Sequence, residues 1–331
     1  MTSCKMLEAP TTGEPLYPFV KDDQVGFIGK DLNTQIPASF LLENSQLWPY
    51  QFSGGLAAIQ MNDKIGYIDR RGEITIDARF EYGGSFHDGL ALVRQNGRYG
   101  FINRSGDFEI DPQFSRAKPF QEGLAAVREP DTGSWGFINR KGEMVIPARY
   151  QSAENFNQKL ALVQTYAHSE WGYITPEGET KIQPQYVEAK SFAENLAPVQ
   201  IGFKQWGYIN LNGAVIIQSQ FLEADPFSEQ KAVVAMPADP NNLDEKQYGY
   251  INRQGEFVVK PTFDNAFAFH ENRARVQVGS KFGYVNENGK MVIEPIYDNA
   301  WDFQNGLALV KLGQKYGYIN LQGIFVFEPL S

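Results

Sequence analysis

The sequence predicts an all-β repeat protein, and three observations carry that expectation. A motif of an aromatic or aliphatic residue, Gly, Phe or Tyr, then Ile or Val returns nine times. Most copies are followed by Asn or Asp and, three residues later, Gly. No stretch of useful length carries helical periodicity. The motif glycines are Gly26, Gly66, Gly100, Gly136, Gly172, Gly207, Gly249, Gly283 and Gly317, about 36 residues apart on average.

Each element of a unit follows from local chemistry. Ala91-Leu92-Val93-Arg94-Gln95 reads as a strand, Asn96-Gly97 as a two-residue hairpin turn, and Arg98 to Asn103 as the returning strand. Arg104-Ser105-Gly106 supplies the next tight turn, with Gly in the left-handed position, and Asp107 to Ile110 a third strand. A unit is therefore expected to be a three-stranded antiparallel meander. A link of about nine residues, Phe114 to Gly123, leads to the next unit and carries Ala117 and Phe120. The spacing repeats as Ala153 and Phe156, Ala189 and Phe192, Ala224 and Phe227, Ala266 and Phe269, Ala300 and Phe303. A Gly-Leu-Ala-x-Val element closes the unit, as at Gly89 to Val93, Gly123 to Val127 and Gly306 to Val310.

The middle strand is apolar on both faces, with Tyr99 and Phe101 on one and Ile102 on the other, so neighbouring units must stack and share a core. Gly100 is expected to leave a gap that an aromatic ring covers. Three strands leave the chain pointing away from its start, and nine units exceed the usual four to eight or so propeller blades. The favoured expectation is an open, solenoid-like array, with the degenerate first unit and Glu328-Pro329 as caps. The alternative is a closed, propeller-like ring that uses the link as a fourth strand.

Trp-Gly-Tyr-Ile-Asn (Trp206 to Asn210), Pro-x-Tyr-x-x-Ala-x-x-Phe (Pro184 to Phe192) and Gly-Leu-Ala-x-Val together resemble the bacterial WG-repeat family, of the KWG type. The resemblance runs from about Leu16 to the end of the chain. Trp leads the motif only at Trp135, Trp171 and Trp206, and the first unit departs most, with Gly29 where Asn is expected and extra residues around Trp48-Pro49-Tyr50. The resemblance implies a repeat scaffold and supplies no catalytic residues. The expected organisation is an N-terminal tail, 1–15, and a single repeat domain, 16–331.

Composition narrows the function. The chain has 331 residues, 42% of them hydrophobic, ample for a large core without a metal or disulfide staple. The mean hydropathy is −0.38, and no apolar run is long enough to be a transmembrane helix. The 39 acidic residues outnumber 30 basic ones for a net charge of −9, which argues against nucleic-acid binding. One cysteine excludes an internal disulfide and a thiolate metal cluster. No His-x-x-x-His spacing, Gly-x-Ser-x-Gly elbow, phosphate loop or calcium loop occurs, so no catalytic residue, metal or cofactor is expected. His87 and His270 share a repeat position, and acidic pairs such as Asp22-Asp23 and Asp244-Glu245 read as solvated turns.

Binding is the better expectation. The turn between the first two predicted strands is tight at Asn96-Gly97 and long at Glu129 to Ser134, Gln164 to Glu170 and Met236 to Gln247. Equivalent loops of stacked repeats collect on one edge, where specificity usually lies. Five aromatics break the repeat consensus and are candidate contact residues: Phe267, Trp301, Trp48, Tyr166 and Phe203. Phe267 and Trp301 occupy the position that carries Lys118, Glu154, Lys190 and Asp225 in other units, so exposure is expected there. The reading is a non-enzymatic protein-interaction scaffold, with a carbohydrate-binding module of the cell envelope as the alternative. Thr2-Ser3-Cys4 resembles the tail of a lipobox. It makes Cys4 the lipidated residue of an exported protein if a signal peptide precedes it, and an incidental thiol of a cytoplasmic protein if none does.

Overall fold

A computed structural model describes residues 13–41 and 50–328. Among them there are strands, turns and bends but no helix. The strands form nine antiparallel sheets, numbered here 1 to 9 in chain order, whose first strands begin at Tyr17, Phe52, Tyr82, Arg116, Ser152, Glu188, Glu223, Asn265 and Asn299. The chain divides between Ala148 and Arg149 into two compact units. Sheets 1 to 4 build the first and sheets 5 to 9 the second, the division falling inside the last strand of sheet 4, Met144–Tyr150.

Sheet 3 shows the common plan. Its strands are Tyr82–His87, Leu90–Gln95, Arg98–Ile102 and Phe108–Phe114, hydrogen-bonded in that order. The three strands expected from the sequence are the last three. The fourth comes from the link: in sheet 4 its residues pair as Arg116 with Arg128 and Ala117 with Val127. In sheets 2 to 9 the three-stranded meander is thus corrected to four strands, the first contributed by what reads as connection, while sheet 1 has three, Tyr17–Lys21, Gln24–Ile28 and Thr34–Leu41. A link with Phe buried at its centre must satisfy its backbone polar groups, and the free edge of the next sheet provides the partners. Lys118 N–H accordingly donates to the Ala126 carbonyl, and Lys190 N–H to that of Pro198.

Consecutive sheets are joined by a ring pair that repeats at a fixed offset. In the first unit Tyr67 meets Phe86 at 5.4 Å and Phe101 meets Phe120 at 4.7 Å. In the second, Tyr173 meets Phe192 at 4.7 Å, Tyr208 meets Phe227 at 5.0 Å, Tyr250 meets Phe269 at 4.8 Å and Tyr284 meets Phe303 at 4.9 Å. All these rings are buried. Each burial contributes about 1.5–3 kcal/mol, and the tilted or edge-on geometry suits the ring quadrupoles.

A second link joins turn to turn. The Asp88 carboxylate accepts the Gly123 N–H at 3.0 Å, Glu194 that of Gln230, Glu229 those of Glu271 and Asn272, and Glu271 that of Gly306 at 2.7 Å. The same carboxylates head the turns that run into the Leu-Ala-x-Val strands.

The two repeated glycines have different duties. A Cβ on Gly100 would stand 2.6 Å from the Ile110 carbonyl oxygen and 2.7 Å from the Pro112 nitrogen. The neighbour is the bulged backbone of the fourth strand, not an aromatic ring, which corrects the expected gap. Gly106 lies at φ +87°, and a Cβ there would meet Ile76 of the preceding sheet at 2.9 Å. The Asn before it is a turn builder: Asn103 Oδ1 accepts the N–H groups of Ser105 and Asp107 at 3.0 and 3.1 Å. The same bonds recur at Asp69, Asn139, Asn210, Asn252, Asn286 and Asn320. Sheet 5 has Thr175 instead, and its buried hydroxyl has no partner among the described residues.

Candidate functional site

The hairpins between the second and third strands of the sheets vary most, and in sheets 3, 5, 8 and 9 a junction residue just before the first strand holds them. Glu81 accepts the Gly97 N–H at 3.1 Å, Asp264 the Gly279 N–H at 2.6 Å and Asp298 the Gly313 N–H at 2.7 Å. The Lys281 ammonium and the Gly313 N–H hold the Asp298 carboxyl below its usual range. In sheet 5 the junction residue is Gln151, which accepts the Ser169 hydroxyl at 3.1 Å.

Sheet 6 breaks this rule. Its junction residue is Val187, which can accept nothing, and its N–H donates to the Gln200 carbonyl beside the hairpin. The hairpin joins Leu196–Gly202 to Gln205–Asn210 through Phe203 and Lys204. A register shift between Gln200 and Gly202 places Ile201 outside the ladder. Phe203 is 80% exposed, Val187 56% and Ile201 48%. An apolar cluster thus stands where sheets 3, 5, 8 and 9 place a polar cap; sheet 7 also has an apolar junction residue, Leu222, but it is buried.

Sheet 7 adds to it. Its strands Ala232–Asp239 and Asn242–Ile251 extend well past the sheet, so the segment read as a long loop is a projecting ribbon. Lys204 Nζ reaches across from sheet 6 to Asp244 Oδ1 at 2.7 Å and to the Leu243 carbonyl at 3.3 Å. It also lies 5.5 Å from the Phe203 ring centre. Leu243 is 41% exposed. The ammonium holds the Asp244 carboxyl below its ordinary range. Tyr166, in the hairpin of sheet 5, is exposed as well. Three consecutive sheets therefore present Tyr166, Phe203 and Leu243 at corresponding tips.

Phe267 and Trp301 stand apart from this cluster and are half-buried rather than open. Each packs on the leading aromatic of its own sheet: Phe267 on Phe282 at 6.2 Å, Trp301 on Tyr316 at 6.0 Å. Lys118 and Lys190 make the equivalent contact with Trp135 and Trp206. The Phe267 and Trp301 backbone carbonyls also accept the Tyr250 and Tyr284 hydroxyls, respectively.

The residue that sequence reasoning missed here is Arg275. It occupies the x of Leu-Ala-x-Val, where sheets 2 to 7 and 9 have Ala58, Leu92, Ala126, Leu162, Pro198, Val233 and Leu309. That break in the pattern was the available signal. Its guanidinium lies 3.7 Å from the Phe267 ring centre, donates to the Ala300 carbonyl, and stands 3.8 Å from Asp302. The side chain is only 15% exposed, and burial lowers its proton affinity. His270 approaches Asp302 at 3.6 Å.

Cys4 and Trp48 lie outside the described residues. No group of three or more His, Cys, Asp or Glu side chains able to hold a metal occurs among the described residues. No helix among them is long and apolar enough to cross a membrane.

Known proteins place this geometry. A crystal structure of a eukaryotic initiation factor is similar at a TM-score of 0.61 with 10% identity, covering 96% of each chain. BamB from Moraxella catarrhalis is similar at a TM-score of 0.48 with 9% identity, over 81% of this chain and 94% of that one. The first likeness shows the fold alone: the nine sheets are blades of a β-propeller. That is the alternative arrangement the sequence left open, and it replaces the solenoid-like array. The physical reason is the link, which pairs as a strand of the next sheet instead of crossing the unit. The chain belongs to the WG containing repeat family, which matches residues 65–99, 99–129, 135–166, 171–203, 206–236, 248–282 and 282–316. No curated protein matches the sequence.

Proposed function

We propose that this WG-repeat propeller is a non-enzymatic scaffold that holds a protein partner on the hairpin tips of sheets 5, 6 and 7. The observation that carries this reading is the cluster of Val187, Ile201, Phe203 and Leu243, exposed apolar side chains brought together at one end of adjacent sheets. Isolated exposed apolar residues are ordinary, whereas a contiguous group with a polar rim marks an interaction surface. Phe203, an aromatic at the centre of the group, has the character of an interface anchor. The half-burial of Phe267 and Trp301 leaves less open ring for sugar stacking, so the protein reading is preferred to the glycan one.

A photo-crosslinking residue at position 203, in the full chain expressed in its source cells, tests the proposal. A discrete protein adduct is expected there, with none from the same residue at position 96, in the short hairpin of sheet 3. Equal adducts from both positions would sink the reading. Saturable glycan binding that is lost in Trp301→Ala would replace it with the carbohydrate reading.

A further inference from the structure

We infer that the tips of sheets 6 and 7 take a protein segment in which apolar side chains are flanked by Lys or Arg. This rests on the scaffold reading and names the chemistry of its partner.

Strand addition is the first mode to consider, because a projecting ribbon offers backbone edges. Here the edges are blunted. Pro237 lacks a donor, and a register shift between Pro237 and Asp239 bulges the opposite strand around Leu243, Asp244 and Glu245. Recognition therefore falls to side chains. The apolar ones are Val187, Ile201, Phe203 and Leu243.

The charges around them are one-sided. Glu188, Glu223, Asp239, Asp244 and Glu245 share these sheets' ends with the ammonium groups of Lys204 and Lys246, and Lys190, itself paired with Asp225, also acts on Glu223. Both ammonium groups are engaged, Lys204 by Asp244 and Lys246 by Glu223. Glu188, Asp239 and Glu245 are exposed and make no ion pair among the described residues. Asp239 accepts only the neutral N–H groups of Asn241, and an apolar surface with carboxylates free of ion pairs at its rim selects a cationic, apolar partner and repels anions. A second copy of this chain carries a net charge of −9 and the same acidic rim, and an anionic lipid surface carries the same sign, so both are disfavoured.

The test uses the intact chain and a display library of random 16-residue peptides, with affinities then measured by fluorescence anisotropy on synthetic copies. Peptides combining Phe, Leu or Ile with Lys or Arg are expected to be enriched. Their affinity should fall about tenfold or more in Phe203→Ser, as for loss of an interface anchor. The paired change Asp239→Lys with Glu245→Lys should weaken binding several-fold, and raised salt should do the same to the native chain. Both variants alter exposed tips, and an unchanged circular dichroism melt checks that they fold. Enrichment of neutral or acidic peptides overturns the inference. So does self-association, or co-sedimentation with phosphatidylglycerol vesicles, that disappears in Phe203→Ser. Peptides that bind indifferently to both variants overturn the inference and leave the scaffold reading standing. A barren library together with no adduct from position 203 overturns both.

Discussion

The two units of the chain use the same ring packing but not the same ring. In the first unit the buried aromatic after the motif glycine is Phe27, Tyr67, Phe101 and Phe137, and in the second it is Tyr173, Tyr208, Tyr250, Tyr284 and Tyr318. Phe101 on Phe120 and Tyr173 on Phe192 have the same 4.7 Å separation, so the hydroxyl does not set the packing. What it adds is a bond between consecutive sheets, always to the carbonyl 17 residues on. Tyr173 donates to Lys190 at 2.8 Å, Tyr208 to Asp225 at 2.9 Å, Tyr250 to Phe267 at 2.8 Å and Tyr284 to Trp301 at 2.7 Å. The first unit shows this bond from Tyr67 to Gly84 at 2.9 Å. A hydroxyl is tolerated at the centre of the core only with its acceptor in place, so the second unit ties its sheets by four such polar links where the first shows one.

Alkali should expose this difference most. Burial raises the phenols of Tyr67, Tyr173, Tyr208, Tyr250 and Tyr284 above the ordinary value of 10.0. Unfolded phenols ionise near that value while folded ones stay neutral, so the unfolded state binds fewer protons above it. The stability is complete below pH 10 and falls as pH climbs toward the folded value. One pH unit above, each of these deeply buried tyrosines costs about 1.4 kcal/mol, with four in the second unit against one in the first; the partly exposed Tyr82 of the first unit and Tyr186, Tyr248 and Tyr297 of the second shift in the same direction and add less. Segment-resolved hydrogen exchange across that range should show sheets 5 to 9 opening before sheets 1 to 4. Simultaneous opening would break the comparison.

Gly249→Ala and Gly100→Ala should be the next largest, and equal in the two units. A Cβ would lie 2.5 Å from the Val259 carbonyl in one and 2.6 Å from the Ile110 carbonyl in the other. Each is expected to cost more than about 3 kcal/mol, read as the loss of a cooperative thermal transition. Unequal losses would mean that the units differ in more than the hydroxyl.

Tyr250→Phe removes the donor and leaves the Phe267 carbonyl without it. A loss of about 1–2 kcal/mol in denaturant unfolding is expected. Phe101→Tyr is the converse change and should gain less than that, by the new bond toward Lys118.

The smallest effect belongs to the second unit alone. Thr175→Asn would supply the oxygen that its seven counterparts use to accept two N–H groups, and should raise the melting point by an increment worth about 1 kcal/mol. No gain would show that the Asn bonds only replace water.

Much of this fold is legible in the sequence. The Asn-x-x-Gly spacing gives the turn, since Asn103 must bond two residues ahead and Gly106 must take a positive φ. The Phe of each link reads as buried, and Phe120 and Phe192 are. The strand made by Arg116–Ala117 is not legible, because two residues carry no periodicity. Phe203 and Tyr166 were legible as breaks from the consensus. Val187 was not, because a valine in a β-rich repeat looks like core until its neighbours are known.

By itself the sequence determined the repeat, its turns and its buried face, because these depend on φ preferences and on alternation within a few residues. The tertiary structure decided which edge the link pairs with and which apolar side chains are left in water. Those outcomes depend on the preceding or following sheet, about 36 residues away, and no local preference encodes it. The hydroxyl bond across 17 residues belongs to both accounts: the tyrosine is written in the chain, and its acceptor exists only once the next sheet is in place.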